Sequence, residues 1–520
     1  MPVTLTGRDL TIDEVVRVAR LGDNITLSSD AKERIDKCRA LLDEKVEKRE
    51  IMYGVNTGIG EFSEVVLTPE QTEEFQRFLI YSHAAGCGEP VPEDGVRAAL
   101  TSRINVHCNG RSGLRHLVTE TLVKMLNRGV TPVMCQRGSV GASGDLSPMA
   151  QMALVPMGEG EAFYKGERLP GKVAMEKAGI PTVTYEARDG LAVINGSNVI
   201  TGMGSLQIHD ADRVYRNAQI AATMTMESLN MNTLCFDERL HKARGYPGAV
   251  TCAANLRRLV AGSELVGREG QRVQDAYSLR STPQVIGSAL DAFNWSREMF
   301  LIELNGVGDN PLFFPEDGDC VTGANFQGTP MAFALELLAT GVTTVCVLSE
   351  RRLNRLMNPA LNAGLPAFLT KGAGMMSGLM LTQYTAGSLI CENRILCQPA
   401  AIGSIPAAAD QEDFVSMGMN SAIKGRQILD NSYTILAIEY MAAAQAMDFL
   451  KPARPSAASQ AAYEIIRETV DFLDDDRPLF DDINRLSEKV RDNTIVNDVE
   501  NAIGALETSP LQVDRIRYNA

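Results

Sequence analysis

What this chain of 520 residues lacks already narrows its possibilities. Its ten cysteines, at 38, 87, 108, 135, 235, 252, 320, 346, 391 and 397, include no C-x-x-C pair. The neighbours His107 and Cys108 have no second pair to complete a site. Neither a metal site nor a disulfide framework is therefore predicted, and the thiols are expected to be buried. No basic stretch offsets the net charge of -15, which argues against nucleic-acid binding by phosphate neutralisation. No run of about 18 apolar residues is free of polar interruption, so no membrane span is expected. The N-terminus also lacks the charged-then-apolar order of a signal peptide, and a cytoplasmic protein is predicted. Strand-like alternation is scarce, the best candidate being Ala162–Lys165 ahead of a turn at Gly166-Glu167. There is no internal repeat, low-complexity tract or long linker.

Helical periodicity fills the space these absences leave. Between Gln427 and Leu450, apolar positions from Ile428 to Ala444 surround most of the helix, and the stretch from Pro330 to Leu356 is similar until its polar end at Glu350-Arg351-Arg352. Helices apolar on nearly every face need neighbours on every face, so a central bundle is predicted, completed by other subunits. The segment 453–520 is more charged and reads as amphipathic outer helices, with Asp474-Asp475-Asp476 a solvated turn or helix end. The chain is thus expected to be mainly α, one continuous structural unit with regions 1–200, 201–452 and 453–520.

The run Gly138-Ser-Val-Gly-Ala-Ser-Gly-Asp-Leu-Ser-Pro148 carries the most chemistry. Its plain reading is a polar turn followed by a helix cap. It has a second reading, because the Gly144 nitrogen is unhindered and its backbone is permissive. Closing that nitrogen onto the carbonyl of Ala142 makes a five-membered imidazolone with loss of one water. Losing the Ser143 hydroxyl as a second water leaves an exocyclic methylidene, an electron-poor alkene that no ordinary side chain supplies.

This run resembles the signature of the histidine and phenylalanine ammonia-lyase family, and other segments extend the resemblance, in the family's order, from about residue 45 to 450. Tyr53-Gly-Val-Asn-Thr-Gly-Ile-Gly60 looks like the family's active-site lid, with Tyr53 as the acid/base and Gly54, Gly58 and Gly60 as hinge glycines; Ile59 stands where Phe is commoner. As a phosphate loop it lacks the following Lys-Ser/Thr. Asn195-Gly196 resembles the family's Asn-Gly-Thr segment, with Ser197 replacing Thr. By resemblance, Asn195 contacts the electrophile and the substrate amine. In Gln274-Asp-Ala-Tyr-Ser-Leu-Arg280, the resemblance makes Gln274 a substrate contact, Tyr277 a proton and amine handler, and Arg280 the carboxylate clamp. Asn305-Gly-Val-Gly-Asp-Asn-Pro311 and Gly323-Ala-Asn-Phe-Gln-Gly328 match two further segments. Asn325 and Phe326 are the implied pocket residues there, and Gln327 departs from the common His.

The resemblance implies the long-helix bundle of the histidine/phenylalanine ammonia-lyase (fumarase/aspartase-like) type and a homotetramer with shared active sites. It also implies a 4-methylidene-imidazol-5-one made from Ala142-Ser143-Gly144, with no external cofactor and no metal. The implied activity is elimination of ammonia from an aromatic L-amino acid. Ser82-His83 and Glu412 fall at the selectivity positions, where they suit a polar ring and favour histidine, which would give urocanate. Phe414 and Asn198 depart from the histidine pattern, so a tyrosine or phenylalanine lyase and a tyrosine 2,3-aminomutase stay open. Two rivals are a catalytically silent scaffold with this fold and a fumarase-like lyase; the second lacks its Gly-Ser-Ser-x-Met-Pro run.

Overall fold

Local capping starts many of the helices. Thr11 forms a reciprocal capping box with Glu14 ahead of helix Ile12–Arg20, and Thr68 does the same with Gln71 ahead of Pro69–His83, where Pro69 occupies the first turn. In the computed structural model, which describes residues 2–509, the chain is mainly α, with strands of three or four residues. It divides into two compact units: Met1–His209 with Arg297–Glu336 and Pro399–Ile423, and Asp210–Ser296 with Leu337–Gln398 and Lys424–Ala520.

In the first unit, helix Glu93–Cys108 is buried along nearly its whole length and packs against Ile12–Arg20 and His116–Arg128. That burial takes Arg103, Asn105 and His107 into the interior. Strands Val3–Leu5 and Ile25–Leu27 pair in parallel, Val3 opposite Ile25. The expected strand at Ala162 is present as Glu161–Tyr164, antiparallel to Glu167–Pro170 and to Val130–Pro132. Its turn, Lys165-Gly166, has φ of 53° and 81°, the two-residue geometry that matches strand twist. Helices Pro69–His83, Leu146–Leu154 and Asp189–Ile194 pack on one another.

In the second unit, the stretch 424–449 of helix Gly418–Phe449 is buried as its all-round apolar pattern requires, with Ile428, Leu436, Ile438 and Tyr440 fully enclosed. A polar knot sits in this core: Glu439 accepts from Arg352 Nε at 2.6 Å and Nη2 at 2.8 Å, and from Thr225 Oγ1 at 3.0 Å. Helices Ala457–Thr469, Phe480–Arg491 and Thr494–Ile503 pack together, and residues 510–520 of the expected outer segment lie outside the described residues. The acidic run is not wholly solvated: Asp476 accepts from the backbone N–H groups of Ser377 at 2.7 Å and Gly378 at 2.9 Å.

Helix Thr329–Met357 is long and apolar enough to cross a membrane, but 67% of its apolar window is buried inside the protein. Of the cysteines, all free thiols, Cys38, Cys108, Cys252 and Cys346 are buried as expected. Cys87 and Cys391 are exposed, because a thiol's residue type does not say which way a strand edge or helix face points.

Candidate active site

The Gly138–Pro148 run folds back on Gly196. Asp145 donates its N–H to the Gly196 carbonyl at 2.9 Å, and Gly196 donates to the Ser143 carbonyl at 3.3 Å. Gly144 lies between these bonds at φ 77°, and a Cβ built on it would stand 2.2 Å from the Gly196 carbonyl carbon. Only glycine satisfies both the left-handed backbone and that approach.

Four helices begin around this turn. Leu146–Leu154 starts directly after Asp145, and Asn198–Ser228 starts after Ser197. Helix Gly418–Phe449 follows Met417, whose N–H donates to the Val140 carbonyl at 2.9 Å. Helix Thr329–Met357 follows Phe326, whose carbonyl accepts from Ser197 Oγ at 2.8 Å. N-terminal helix ends carry partial positive charge, so they favour anions at the turn. Asp145 is fully buried among them and accepts from the Ile200 N–H at 2.8 Å. Burial outweighs these donors and raises its carboxyl pKa from the ordinary 3.8 to about 7.

The turn forms one wall of a cavity of about 890 Å³. Helix Pro69–His83 supplies the opposite chemistry: Phe75, Phe78 and Leu79 are apolar, and Ser82 and His83 close the end. His83 Nδ1 lies 2.8 Å from the Leu79 carbonyl, which can only accept, so Nδ1 carries the proton and Nε2 is the acceptor in the neutral ring. Ser82 Oγ lies 3.0 Å from the same Nδ1. Glu412 accepts from Ser143 Oγ at 3.1 Å. Asn195 is buried and donates both amide protons, to Asp309 Oδ1 at 3.1 Å and to the Asn310 carbonyl at 2.8 Å.

Tyr53 reaches the cavity from the loop, its hydroxyl accepting the Gly60 N–H at 3.1 Å. Burial raises its pKa, and the charge of Glu412 adds to that; the Gly60 bond and Arg188 oppose it. Gly54 is less a hinge than a point of close approach: at φ 63°, a Cβ there would meet Leu191 Cδ2 at 2.3 Å. Gly58 and Gly60 line the cavity.

Residues 10–468 match the family described as aromatic amino acid lyase. The chain belongs to the aromatic amino acid lyase family. It is 45% identical over 505 residues to the histidine ammonia-lyase of Alkaliphilus metalliredigens (strain QYMF), spanning 97% of this chain and 99% of that protein. Among solved structures it is similar to the tyrosine aminomutase from Streptomyces globisporus, with a TM-score of 0.93, 35% identity and coverage of 98% of this chain and 100% of that one. It is similar as well to the histidine ammonia-lyase from Trypanosoma cruzi, with a TM-score of 0.91, 34% identity and 98% of each chain covered. It is a carbon–nitrogen lyase with the helical ammonia-lyase fold.

In this lyase the cavity gathers Tyr53, Ser82, His83, Ala142, Ser143, Gly144, Asn195, Phe326 and Glu412, all from the first unit. Asn325 is exposed and does not line it. Gln274, Tyr277 and Arg280 belong to the second unit. There Gln274 is exposed, Tyr277 is 72% exposed, and the Arg280 guanidinium lies 4.6 Å from the Tyr277 ring centroid, its Nε buried without a partner. Among the described residues, no arginine or lysine lines the cavity. Sequence reasoning missed the apolar wall, although Phe75, Phe78, Leu79 and Ser82 share one helix face by spacing. It also missed Arg103, Arg188 and Asp309 as a group, since nothing local links them.

Proposed function

We propose that this lyase eliminates ammonia from L-histidine, forming urocanate, with an electrophile generated from Ala142-Ser143-Gly144. The observation that carries the proposal is the glycine-locked turn at Gly144, closed against Gly196, opening into a cavity that also holds Tyr53 and Glu412. The residues present fit a 4-methylidene-imidazol-5-one. Gly144 offers an unhindered nitrogen in a conformation a side chain would forbid, and helix N-termini surround the turn. Once formed, the group supplies an electron-poor alkene that makes the substrate nitrogen a better leaving group.

The chain's own residues have separable tasks. Asn195 presents its carbonyl oxygen to the substrate amine, since both its amide protons are engaged elsewhere. Tyr53 exchanges a proton at Oη with the substrate's β-carbon. Burial favours its neutral form, so its anion depends on the Gly60 N–H and on positive charge brought to the site. Glu412 and His83 Nε2 are both acceptors, which suits a ring carrying N–H groups. The apolar wall of Phe75, Phe78 and Leu79 excludes water from that ring.

A substrate carboxylate finds no arginine or lysine among the described residues that line the cavity, which supports a clamp by Arg280 of a neighbouring copy in a homotetramer. Ten free thiols suit a reducing compartment, the cytoplasm. Similarity to a tyrosine aminomutase supports a second reading, elimination followed by return of the amine to the β-carbon of tyrosine. Incubation with histidine, tyrosine and phenylalanine separately, with detection of unsaturated acids and β-amino acids, decides between them. Urocanate from histidine as the dominant product is expected; β-tyrosine as the main product would overturn it.

A further inference from the structure

Behind the cavity wall lies a cluster of two guanidiniums and one carboxylate, Arg103, Arg188 and Asp309, each side chain fully buried. Asp309 Oδ1 accepts from Arg188 Nη2 at 2.8 Å, from the Asn310 N–H at 2.7 Å and from Asn195 Nδ2 at 3.1 Å; Oδ2 accepts from Arg103 Nη2 at 3.0 Å. Arg103 Nη1 donates to the Asn195 backbone carbonyl at 2.7 Å, to Asn198 Oδ1 at 3.1 Å and to the Gly308 carbonyl at 3.2 Å. Arg188 donates to the carbonyls of Ser112 at 2.9 Å, Asn310 at 3.0 Å and Pro311 at 3.2 Å.

Of the cavity-lining residues these bonds reach, Asn195 and Asn310, only Asn195 is held by its side chain. We infer that Asp309 and Arg103 are positioning residues that hold Asn195 with its amide carbonyl toward the substrate amine. The inference rests on the reading of Asn195 as the amine's partner. An asparagine amide has two donors on one side and an acceptor on the other. With both donors fixed by Asp309 and Asn310, the remaining atom available to the cavity is Oδ1. Flipping the amide would set its oxygen against Asp309 Oδ1 and the Asn310 carbonyl, two acceptor-to-acceptor contacts at a buried position. Burying unpaired polar groups of this kind disfavours the flipped state on the order of a hundredfold or more. Arg103 fixes the backbone of Asn195 as well, so side chain and main chain are held from one cluster.

Packing alone does not call for such a cluster, because apolar residues of similar volume fill an interior without the desolvation cost of three charges. The direction of its bonds distinguishes it from a merely structural knot. Asp309→Asn keeps the shape but removes the charge. The new amide must also turn a donor toward Arg103, or toward Arg188 and Asn195.

The test is a double-mutant cycle on the purified enzyme with histidine, using Asn195→Ala, Asp309→Asn and the pair. Asp309→Asn is expected to lower kcat on the order of a hundredfold with little change in KM. It is expected to add almost nothing in the Asn195→Ala background. The intact mass of every variant should match that of the parent apart from the substitution, which excludes an effect through maturation of the tripeptide. If Asp309→Asn does not fold, Arg103→Lys, which keeps the charge but loses the fork, goes through the same cycle. An impaired Asn195→Ala combined with additive losses overturns the positioning role alone. Full activity in Asn195→Ala overturns the reading of Asn195, and the inference with it.

Discussion

Ser143 donates its hydroxyl to Glu412 at 3.1 Å, joining residues 269 positions apart in the chain. The residue whose hydroxyl would leave in the proposed electrophile therefore touches the residue proposed to read the substrate ring. Under that proposal, reaction centre and ring recognition are adjacent in one cavity, so a change at Glu412 is expected to be read by both.

Glu412→Gln keeps an oxygen that can accept from Ser143 but removes the negative charge. An imidazole, which can become cationic, loses more from that change than a phenol does. Histidine turnover, as kcat/KM, is expected to fall about 10- to 100-fold, and tyrosine turnover by much less. Equal losses for the two substrates would remove the reason for preferring histidine.

The tripeptide itself is read most directly by mass. The purified parent protein should weigh two waters less than its translated sequence, and Ser143→Ala should not carry the loss of its second water. Turnover in Ser143→Ala should fall on the order of a thousandfold or more, since a covalent route is removed. Gly144→Ala should fail differently, through the 2.2 Å approach to Gly196, with a lowered melting temperature as well as an unprocessed mass. A parent protein at full translated mass would support the silent scaffold instead.

Much of this was legible beforehand, and the exceptions have physical causes. The helix read from Pro330 to Leu356 is Thr329–Met357, because a long apolar run has few alternatives. The one read from Gln427 begins earlier, at Gly418, since its first turns mix Asn420, Ser421, Lys424, Gly425 and Arg426 with few apolar residues. Strands such as Val3–Leu5 and Leu312–Phe314 are too short to show alternation. The motif residues Tyr53, Asn195, Phe326 and Glu412 do meet in one cavity, while Asn325, beside Phe326, is exposed, because neighbours in an extended turn face opposite ways. Arg103 and Arg188 read as ordinary charges in sequence. Only the fold brings Asp309 to them.

Tyr53→Phe removes the proposed proton carrier and leaves the ring that fills the loop. The Gly60 N–H loses its acceptor, a small cost at a half-buried position. Melting temperature should therefore change little, whereas elimination should slow on the order of 10²- to 10⁴-fold. Exchange of the substrate's β-proton with solvent deuterium should slow in parallel. An unchanged rate would end the assignment of Tyr53 as acid/base.

Asp145 gives the protein a pH dependence whose sign follows from its burial. Its pKa is about 7 in the folded chain against an ordinary 3.8, so the folded state holds this proton more tightly than the unfolded one. The stabilisation is complete below about pH 4, declines as pH rises toward 7, and is absent above that, amounting to a few kcal/mol at most. Asp145→Asn is nearly isosteric: its oxygen can accept from Ile200 N–H, and its nitrogen can donate to Ser139 Oγ. Melting temperatures between about pH 5 and 8 should fall for the parent relative to the variant as pH rises, then run parallel. Curves parallel throughout would mean that the four helix N-termini hold Asp145 ionised even at low pH. In that case the carboxylate is a permanent part of the field around Gly144, and Asp145→Asn should alter formation of the processed mass at every pH alike.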